Sequence, residues 1–268
     1  MSDVLVLGST GTTGSRVVRG LKALGVPVRA ATRTPAQPGQ IRFDWADPAT
    51  YGPALDGVSA VYLIVPAVAD PRPFVESFLD HAPRTRVVLL SSSSVHEDTP
   101  VLGALPGLVR QRPGWTVLRP SWFMQNFAGD HQVAQGVRAG RIVTATGDGR
   151  VAFVDAGDIA AVAVRALTDP EPHNTDHLLT GPRALSYAEA AAIVAHHLGR
   201  PVAHEPVSAG EYTQFLVRDG IPGQYAAMLA SLDEAIRGGA EDRVTDTVER
   251  VTGRPARDFV TFTHEEIR

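Results

Sequence analysis

Three glycines near the N-terminus, Gly8, Gly11 and Gly14, have a spacing that points directly to a chemistry. They follow the apolar run 4–7, which is typical of a parallel strand that is buried on both faces. After them, residues 12–24 carry apolar side chains at helical spacing. Glycines in such a turn let the backbone approach a phosphate, whose charge the helix N-terminus favours. The pattern predicts a pyrophosphate site, and an ordinary β-to-α turn is the alternative interpretation.

The residue type that follows the second predicted strand indicates which dinucleotide is bound. Arg33 stands 19 residues after Gly14, and no Asp or Glu occurs between Asp3 and Asp44. In dinucleotide-binding folds an acid near this position holds the ribose of NAD, whereas an arginine accommodates the 2′-phosphate of NADP. Hydrogen bonds between a guanidinium and that phosphate contribute roughly 1.5–3 kcal/mol. We therefore expect NADPH to be preferred over NADH; a solvated surface arginine is the alternative.

Familiar catalytic groups are missing from the sequence. Lys22 is the single lysine, and Val18 lies four residues before it, so no Tyr-x-x-x-Lys pair exists. The chain has no cysteine, no G-x-S-x-G or H-E-x-x-H motif and no paired metal ligands. The catalytic residue is unknown on this basis. His96, which follows the serines after the fifth predicted strand, is a candidate proton donor, and a loop histidine is the alternative.

Composition limits the class of partner. The net charge of −4 offers no field for nucleic acid, and no apolar stretch is long enough to span a bilayer. The N-terminus enters a strand without a signal-peptide pattern. We expect a cytoplasmic protein, a monomer or homodimer, that binds a small-molecule substrate and no metal.

Alternating strands and helices predict an α/β fold, a Rossmann-like doubly wound parallel sheet with a smaller, mostly helical C-terminal lobe. We expect a dinucleotide-binding domain over 1–168 and a substrate-binding lobe over 169–268, with segment 120–150 contributing to the substrate pocket. The predicted strands are 4–7, 28–31, 41–43, 60–65, 86–90, 115–118 and 141–146; the predicted helices include 12–24, 71–81, 101–110, 124–139 and 159–167. Two Ser-x-x-Glu patterns, beginning at Ser186 and Ser208, predict helix capping boxes.

Segment 115–127, with the letters WTVLRPSWFMQNF, resembles a stretch of the NmrA-like atypical short-chain dehydrogenases. More narrowly, the chain is similar to the ergot-alkaloid reductases (festuclavine and agroclavine dehydrogenases) and their bacterial relatives. Further matching segments are 147–149, 153–160, 173–176, 180–182, 225–229 and 239–243, so the likeness spans the whole chain. The chain departs from the family in helix 101–110, where many members carry a histidine and a glutamate and this sequence has neither at the expected place.

The resemblance implies a set of cofactor-binding residues. The pyrophosphate would contact Gly8, Thr10, Gly11, Thr12, Thr13 and Gly14, and the 2′-phosphate would contact Arg33. The remainder of the cofactor would contact Asp44, Trp45, Val65, Pro66, Ala67, Ser91, Ser92 and Pro120. Residues after the sixth strand and other aromatic side chains are the candidates for substrate binding, namely Trp122, Phe123, Phe127, Phe153 and Tyr225. For Phe123, Phe153 and Tyr225 a position in the hydrophobic core is the alternative interpretation.

The missing proton donor restricts the reaction. Hydride transfer to a neutral ketone creates an alkoxide that needs an acid, whereas transfer to an iminium cation needs none. We expect an NADPH-dependent reductase of iminium or imine, quinone or enone substrates in secondary metabolism. An alternative is a non-catalytic NAD(P)-binding sensor of the NmrA type. A third hypothesis is a redox-neutral cyclase or isomerase that binds the cofactor.

Overall fold

The computed structural model describes residues 3–268, which divide into two compact units that interleave along the chain. The sheet unit contains the chain up to Pro120, then Ala156–Leu179 and Thr247–Arg254; the second unit contains Ser121–Asp155, Thr180–Asp246 and Pro255–Arg268. A single boundary near residue 168 therefore does not describe the division. The reason is that segment Ala156–Leu179 belongs to the sheet unit. It contributes one helix to that unit and one strand to the sheet that the N-terminal part forms.

The sheet unit is built on seven strands that all run parallel, which confirms the predicted α/β fold. Their order is β3-β2-β1-β4-β5-β6-β9, so that β1 pairs with β2 on one side and with β4 on the other. The strands are β1 Asp3–Val6, β2 Val28–Thr32, β3 Gln40–Arg42, β4 Val58–Leu63, β5 Arg86–Leu90, β6 Trp115–Pro120 and β9 Thr175–Leu179.

Helices cover the sheet on both faces, as expected where successive parallel strands are joined by crossovers. They are α1 Gly14–Ala23, α2 Tyr51–Leu55, α3 Arg72–Asp80, α4 Ala104–Arg110, α6 Ala156–Thr168 and α10 Thr247–Thr252, and a 3₁₀ turn spans Pro48–Thr50. Helix α1 packs on α6 because Gly20 has no side chain: a β-carbon there would lie 2.9 Å from Val164 Cγ2.

The helix predicted over 101–110 begins three residues late, at Ala104. Val101 has a φ of 65°, in the left-handed region that a β-branched residue rarely adopts. The Leu102 N–H donates to the carbonyl of Pro100 at 2.7 Å, which closes a three-residue turn around Val101. This turn excludes Val101 from the helix.

The second unit is mostly helical and carries two small two-stranded sheets. Strand β7 (Arg141–Thr144) pairs in parallel with β11 (Ala203–Pro206), and β8 (Arg150–Val151) pairs antiparallel with β10 (Leu185–Ser186). Its α-helices are α5 Gln132–Ala139, α7 Tyr187–Leu198, α8 Ala209–Arg218, α9 Gly223–Arg237 and α11 Phe259–Glu266. Both predicted capping boxes are present, with Ser186 before α7 and Ser208 before α8.

The long helix predicted over 124–139 is wrong. Segment Met124–Phe127 is a 3₁₀ helix, and α5 starts only at Gln132. Between them Gly129 has a φ of 69°, which ends any helical run, and His131 is extended and accepts the Val133 N–H through Nδ1. The apolar residues whose spacing suggested one long helix are divided between two short helices. The strand predicted over 141–146 is also shorter and ends at Thr144.

Candidate functional site: a cleft at the carboxyl ends of four parallel strands

The glycine turn between β1 and α1 is closed too tightly for side chains. Gly8 has a φ of 60°, and a β-carbon on it would lie 2.9 Å from Ile64 Cδ1. A β-carbon on Gly14 would lie 2.8 Å from the carbonyl carbon of Gly8 and closer still to its oxygen. The Gly11 N–H donates to the same Gly8 carbonyl at 2.9 Å. The backbone is therefore folded directly against the start of α1, whose first N–H groups have no partner within the helix.

Ser9 fixes this turn to the neighbouring strand, a contact that sequence reasoning missed. Its buried hydroxyl donates to the carbonyl of Ala31 in β2 at 2.7 Å. A serine within a glycine-rich turn carries no signal of its own, because the partner lies 22 residues away. The result is a turn that is held to β2 as well as to β1.

A cleft of about 830 Å³ opens beside this turn. It is lined by segments that follow β1, β2, β3 and β4, and ligands of open α/β sheets bind at this edge. The predicted residues that line it are Gly8, Thr10, Arg33, Asp44, Trp45, Val65, Pro66 and Ala67. Thr12 is exposed beside the turn, and Thr13 is buried at the start of α1. One cleft thus collects residues that the sequence spreads over sixty positions.

Arg33 lies exposed on the wall of the cleft that follows β2. It forms no ion pair with any residue in the range 3–268. The loop that carries it is ordered by Gln40, whose Oε1 accepts the N–H groups of Ala36 at 2.7 Å and Gln37 at 2.9 Å. A guanidinium without a carboxylate partner, on an ordered loop, is suited to an anionic ligand.

Trp45 is held at the cleft by an aromatic cluster. Its ring lies edge-on to Phe43 at 5.0 Å and to Phe78 at 5.3 Å, and the Tyr51 hydroxyl donates to the Trp45 carbonyl at 2.8 Å. Burial and the nearby carboxylates of Asp44 and Asp47 raise the pKa of Tyr51, so this phenol keeps its proton. Asp44 itself turns back to accept the Ala46 N–H at 2.9 Å. These contacts hold the Trp45 ring in a fixed orientation on the wall of the cleft that follows β3.

The residues predicted after β5 and β6 lie at the same edge of the sheet. Ser91 is half-buried and donates its N–H to the Leu118 carbonyl at 2.8 Å, and the Ser92 hydroxyl lies 2.9 Å from that of Ser94. Pro120 is buried, and its carbonyl accepts the Ser93 N–H at 3.0 Å. His96 is exposed further along this loop. The loop is therefore fixed at its start, whereas the candidate proton donor lies at the surface.

An ion-pair network that the sequence did not reveal supports this loop. The Asp176 carboxylate on β9 accepts a hydrogen bond from Arg119 Nε at 2.6 Å and another from Arg110 at 2.8 Å. Arg119 also donates to the Val95 carbonyl, and Arg110 pairs with Glu97 at 2.8 Å. These residues are far apart in the sequence, so only the pairing of β6 with β9 brings them together.

Two of the aromatic residues that were predicted to bind substrate lie in the hydrophobic core of the second unit. Phe127 and Phe153 are 1% exposed and meet edge to face at 5.1 Å, with Phe259 packed on Phe127 at 4.9 Å. This packing makes both residues part of a hydrophobic core, and Phe153 also lines a small cavity beside it. Their role in substrate binding stays a prediction. The apolar-after-strand pattern cannot distinguish a core ring from a pocket ring.

The other candidates of the second unit are more accessible. Trp122 is half-buried against the same core, and Phe123 forms an isolated bridge with Val154. Tyr225 is 52% exposed on α9. Beside Trp122, the buried Ser121 hydroxyl donates to the buried Glu241 carboxylate at 3.0 Å. This serine–carboxylate pair directly follows β6 and was missed, because Glu241 is 120 residues away.

Among the described residues we searched for metal-binding groups of side chains and for membrane-spanning helices. No group of three or more His, Asp or Glu side chains within residues 3–268 is arranged to hold a metal ion. None of the helices formed by the described residues combines the length and the apolar character that crossing a membrane requires.

Comparison with known proteins gives clear relatives, although no family model matches the chain. An uncharacterized oxidoreductase, YesF of Bacillus subtilis, is 48% identical over 97% of this chain and 94% of its own length. Agroclavine dehydrogenase of Claviceps fusiformis is 36% identical (97% and 95%), and an NAD(P)H azoreductase of Xenophilus azovorans is 35% identical (97% and 96%).

Solved structures share the fold at lower identity. An NADPH-dependent quinone oxidoreductase of Escherichia coli, in complex with NADPH, superposes with a TM-score of 0.83 at 23% identity, over 97% of this chain and 98% of that one. A nucleoside-diphosphate-sugar epimerase of Staphylococcus aureus gives a TM-score of 0.85 at 19% identity, over 99% and 100%.

Proposed function

Since the chain belongs to the NmrA-like atypical short-chain dehydrogenases, in the branch of the agroclavine dehydrogenases and their bacterial relatives, we propose that it is an NADPH-dependent reductase. Its substrate is a small organic acceptor of the iminium or imine, quinone or enone type. The reduction proceeds without a Tyr-Lys pair, and its metabolic setting is secondary metabolism.

The observation that carries the proposal is the cleft that is lined by Gly8 and Thr10 of the glycine turn and has Arg33 on its wall. The absence of a β-carbon at Gly8 and Gly14 lets the glycine turn fold closely against the start of α1, where a pyrophosphate would lie. An NADP molecule also needs a cation for its 2′-phosphate and a flat apolar surface for its adenine. Arg33 and Trp45 have these properties, so the residues fit this cofactor.

In this proposal each group has a separate task. The backbone of Thr10 and Thr12 binds the pyrophosphate, Arg33 binds the 2′-phosphate, and Val65, Ser91 and Pro120 hold the ribose and the nicotinamide end. When bound, the cofactor supplies the hydride. The chain contributes proximity, orientation and exclusion of water at the reacting end.

The lack of a Tyr-Lys pair in this sequence restricts the acceptor. The single lysine, Lys22, is exposed on α1, and His96 is exposed in the loop after β5. An iminium accepts hydride to become a neutral amine, and a quinone becomes a hydroquinone monoanion that water protonates. The names of two similar proteins, an NAD(P)H azoreductase and a quinone oxidoreductase, support electron-poor acceptors.

Two measurements on the same preparation test the proposal. Calorimetric titration with NADPH and NADH gives the affinities, and the loss of NADPH absorbance gives turnover with quinones, azo compounds, enones and cyclic iminium salts. We expect NADPH to bind more tightly than NADH and at least one acceptor class to be reduced. Tight binding without turnover over the whole panel would favour the NmrA-type sensor, and product formation without NADPH consumption would favour the redox-neutral enzyme.

A further inference from the structure

A second, smaller cavity of about 210 Å³ lies at the carboxyl end of β5 in the sheet unit. Six aliphatic side chains line it, and they are Val65, Leu89, Leu90, Val95, Leu102 and Leu105. Val65 also lines the cofactor cleft, so the two spaces share a wall. The cavity therefore adjoins the end of the cleft that the nicotinamide would occupy.

The chemistry of this lining is uniform. Apart from the aliphatic groups, only Ser91 and Ser92 contribute, and no charged or aromatic residue is among the lining residues. An organic cation would lose its hydration here without gaining a carboxylate or a ring face. At the packing density of protein interiors, about 0.74, a space of this size holds roughly ten to twelve heavy atoms. This is the size of a molecule with one ring or two fused rings.

The wall of the cavity that follows β5 is rigidly built. Arg119 donates to the carbonyl of Val95, and its partner Asp176 fixes the guanidinium at 2.6 Å. At the other end of the loop, the turn around Val101 places Leu102 in the lining. Backbone in the left-handed region at a β-branched residue is costly and persists where the surrounding structure imposes it. Such strain is concentrated at ligand sites.

We propose that this cavity is the acceptor subsite and that it takes an uncharged one- or two-ring acceptor, such as a quinone, rather than a cationic iminium. The inference rests on the proposed reductase function and narrows its substrate class. Leu102 is the specificity-determining residue, since it lines the cavity and is 37% exposed at the surface. The serine hydroxyls are the hydrogen-bond donors available to a carbonyl oxygen of the ring.

The test uses binding, so that it does not depend on turnover. The chain, with and without NADP⁺, is titrated calorimetrically with 1,4-naphthoquinone and with N-methylquinolinium, a cation of similar size. The absence of cysteine removes the usual covalent reaction of quinones with thiols. The variants are Leu102→Trp, which fills the cavity, and Leu102→Ala, which enlarges it. The matched control is Leu24→Trp, since Leu24 is 59% exposed at the far end of α1.

We expect Leu102→Trp to weaken naphthoquinone binding about tenfold or more by overfilling the site, while NADPH affinity changes by less than about twofold. N-methylquinolinium should bind at least about tenfold more weakly than naphthoquinone. Unchanged naphthoquinone affinity in Leu102→Trp, or tighter binding of the cation, would overturn the inference. If naphthoquinone binding responds to Leu102 but NADPH does not bind, the cavity stands as a ring-binding site and the reductase proposal fails.

Discussion

Gly14 lies against the carbonyl of Gly8, so closely that a β-carbon on Gly14 would come within 2.8 Å of the Gly8 carbonyl carbon. This contact joins the first turn of α1 to the loop that closes the cofactor cleft. It accounts for the third glycine by the packing of backbone against backbone. Any side chain at position 14 must therefore displace either the helix or the loop.

Gly14→Ala should lower the free energy of unfolding by roughly 1–3 kcal/mol, since overfilling forces the backbone to move. It should also weaken NADPH binding, because the loop that meets the pyrophosphate shifts. Denaturant unfolding and calorimetric titration measure the two effects. The control is Gly107→Ala in α4, where a β-carbon meets nothing within 4 Å and helix propensity favours alanine. Equal behaviour of the two variants would contradict the packing argument.

Arg33→Ala should weaken NADPH binding about 10- to 100-fold, the equivalent of roughly 1.5–3 kcal/mol of lost charge-assisted hydrogen bonds. NADH affinity should stay within about twofold, because NADH has no 2′-phosphate. Both affinities are measured at one ionic strength. Arg42→Ala is the matched control, since Arg42 is exposed on β3 and pairs with Asp47 at 3.0 Å. If the ratio of the two affinities is unchanged in Arg33→Ala, Arg33 does not bind the phosphate.

Arg119→Ala should cost roughly 1–3 kcal/mol of stability, because it leaves the Asp176 carboxylate and the Val95 carbonyl without this donor. Arg141→Ala should cost less than about 1 kcal/mol, since its pair with Glu205 is exposed to solvent on both sides. Chemical denaturation of both variants makes the comparison. Equal costs would show that the network under the β5 loop is no stronger than a surface pair.

Asp233 should make stability depend on pH. Burial raises the pKa of this carboxyl to about 7, although the Ala145 N–H, which donates to it at 2.9 Å, opposes the shift. The folded state thus holds a proton that the unfolded state releases between about pH 4 and pH 7, so stability falls as the pH rises through this window. Buried Tyr187 and Tyr212 lie near the same carboxyl and have raised pKa values.

Asp233→Asn keeps an acceptor for the Ala145 N–H and removes the ionisation. Relative to the native chain, the variant should gain stability on going from pH 4 to pH 8, by on the order of 2–4 kcal/mol. Unfolding is followed by denaturant titration at each pH. Asp219→Asn, at an exposed helix end, removes the same formal charge without burial and should show no such trend. A flat difference for Asp233→Asn would show that this carboxyl ionises as it does in water.

The sequence alone determined the local features whose cause lies within a few residues. The strand-glycine-helix order, the parallel sheet, both capping boxes and the absence of a Tyr-Lys pair follow from residue type and spacing. Arg33 on the cleft wall was also predictable, because the length of a β-α-β unit fixes which residue ends its second strand.

Tertiary structure decided everything that depends on partners far apart in the chain. The interleaved units exist because β9 returns to pair with β6, and Arg119 meets Asp176 only through that pairing. Phe127 and Phe153 became core rings, whereas Leu102 came to line a cavity, although all three are apolar residues in segments that follow strands. The hydrophobic pattern of the sequence predicts that a side chain is buried. The three-dimensional packing specifies whether it meets other side chains or an empty space that a ligand can fill.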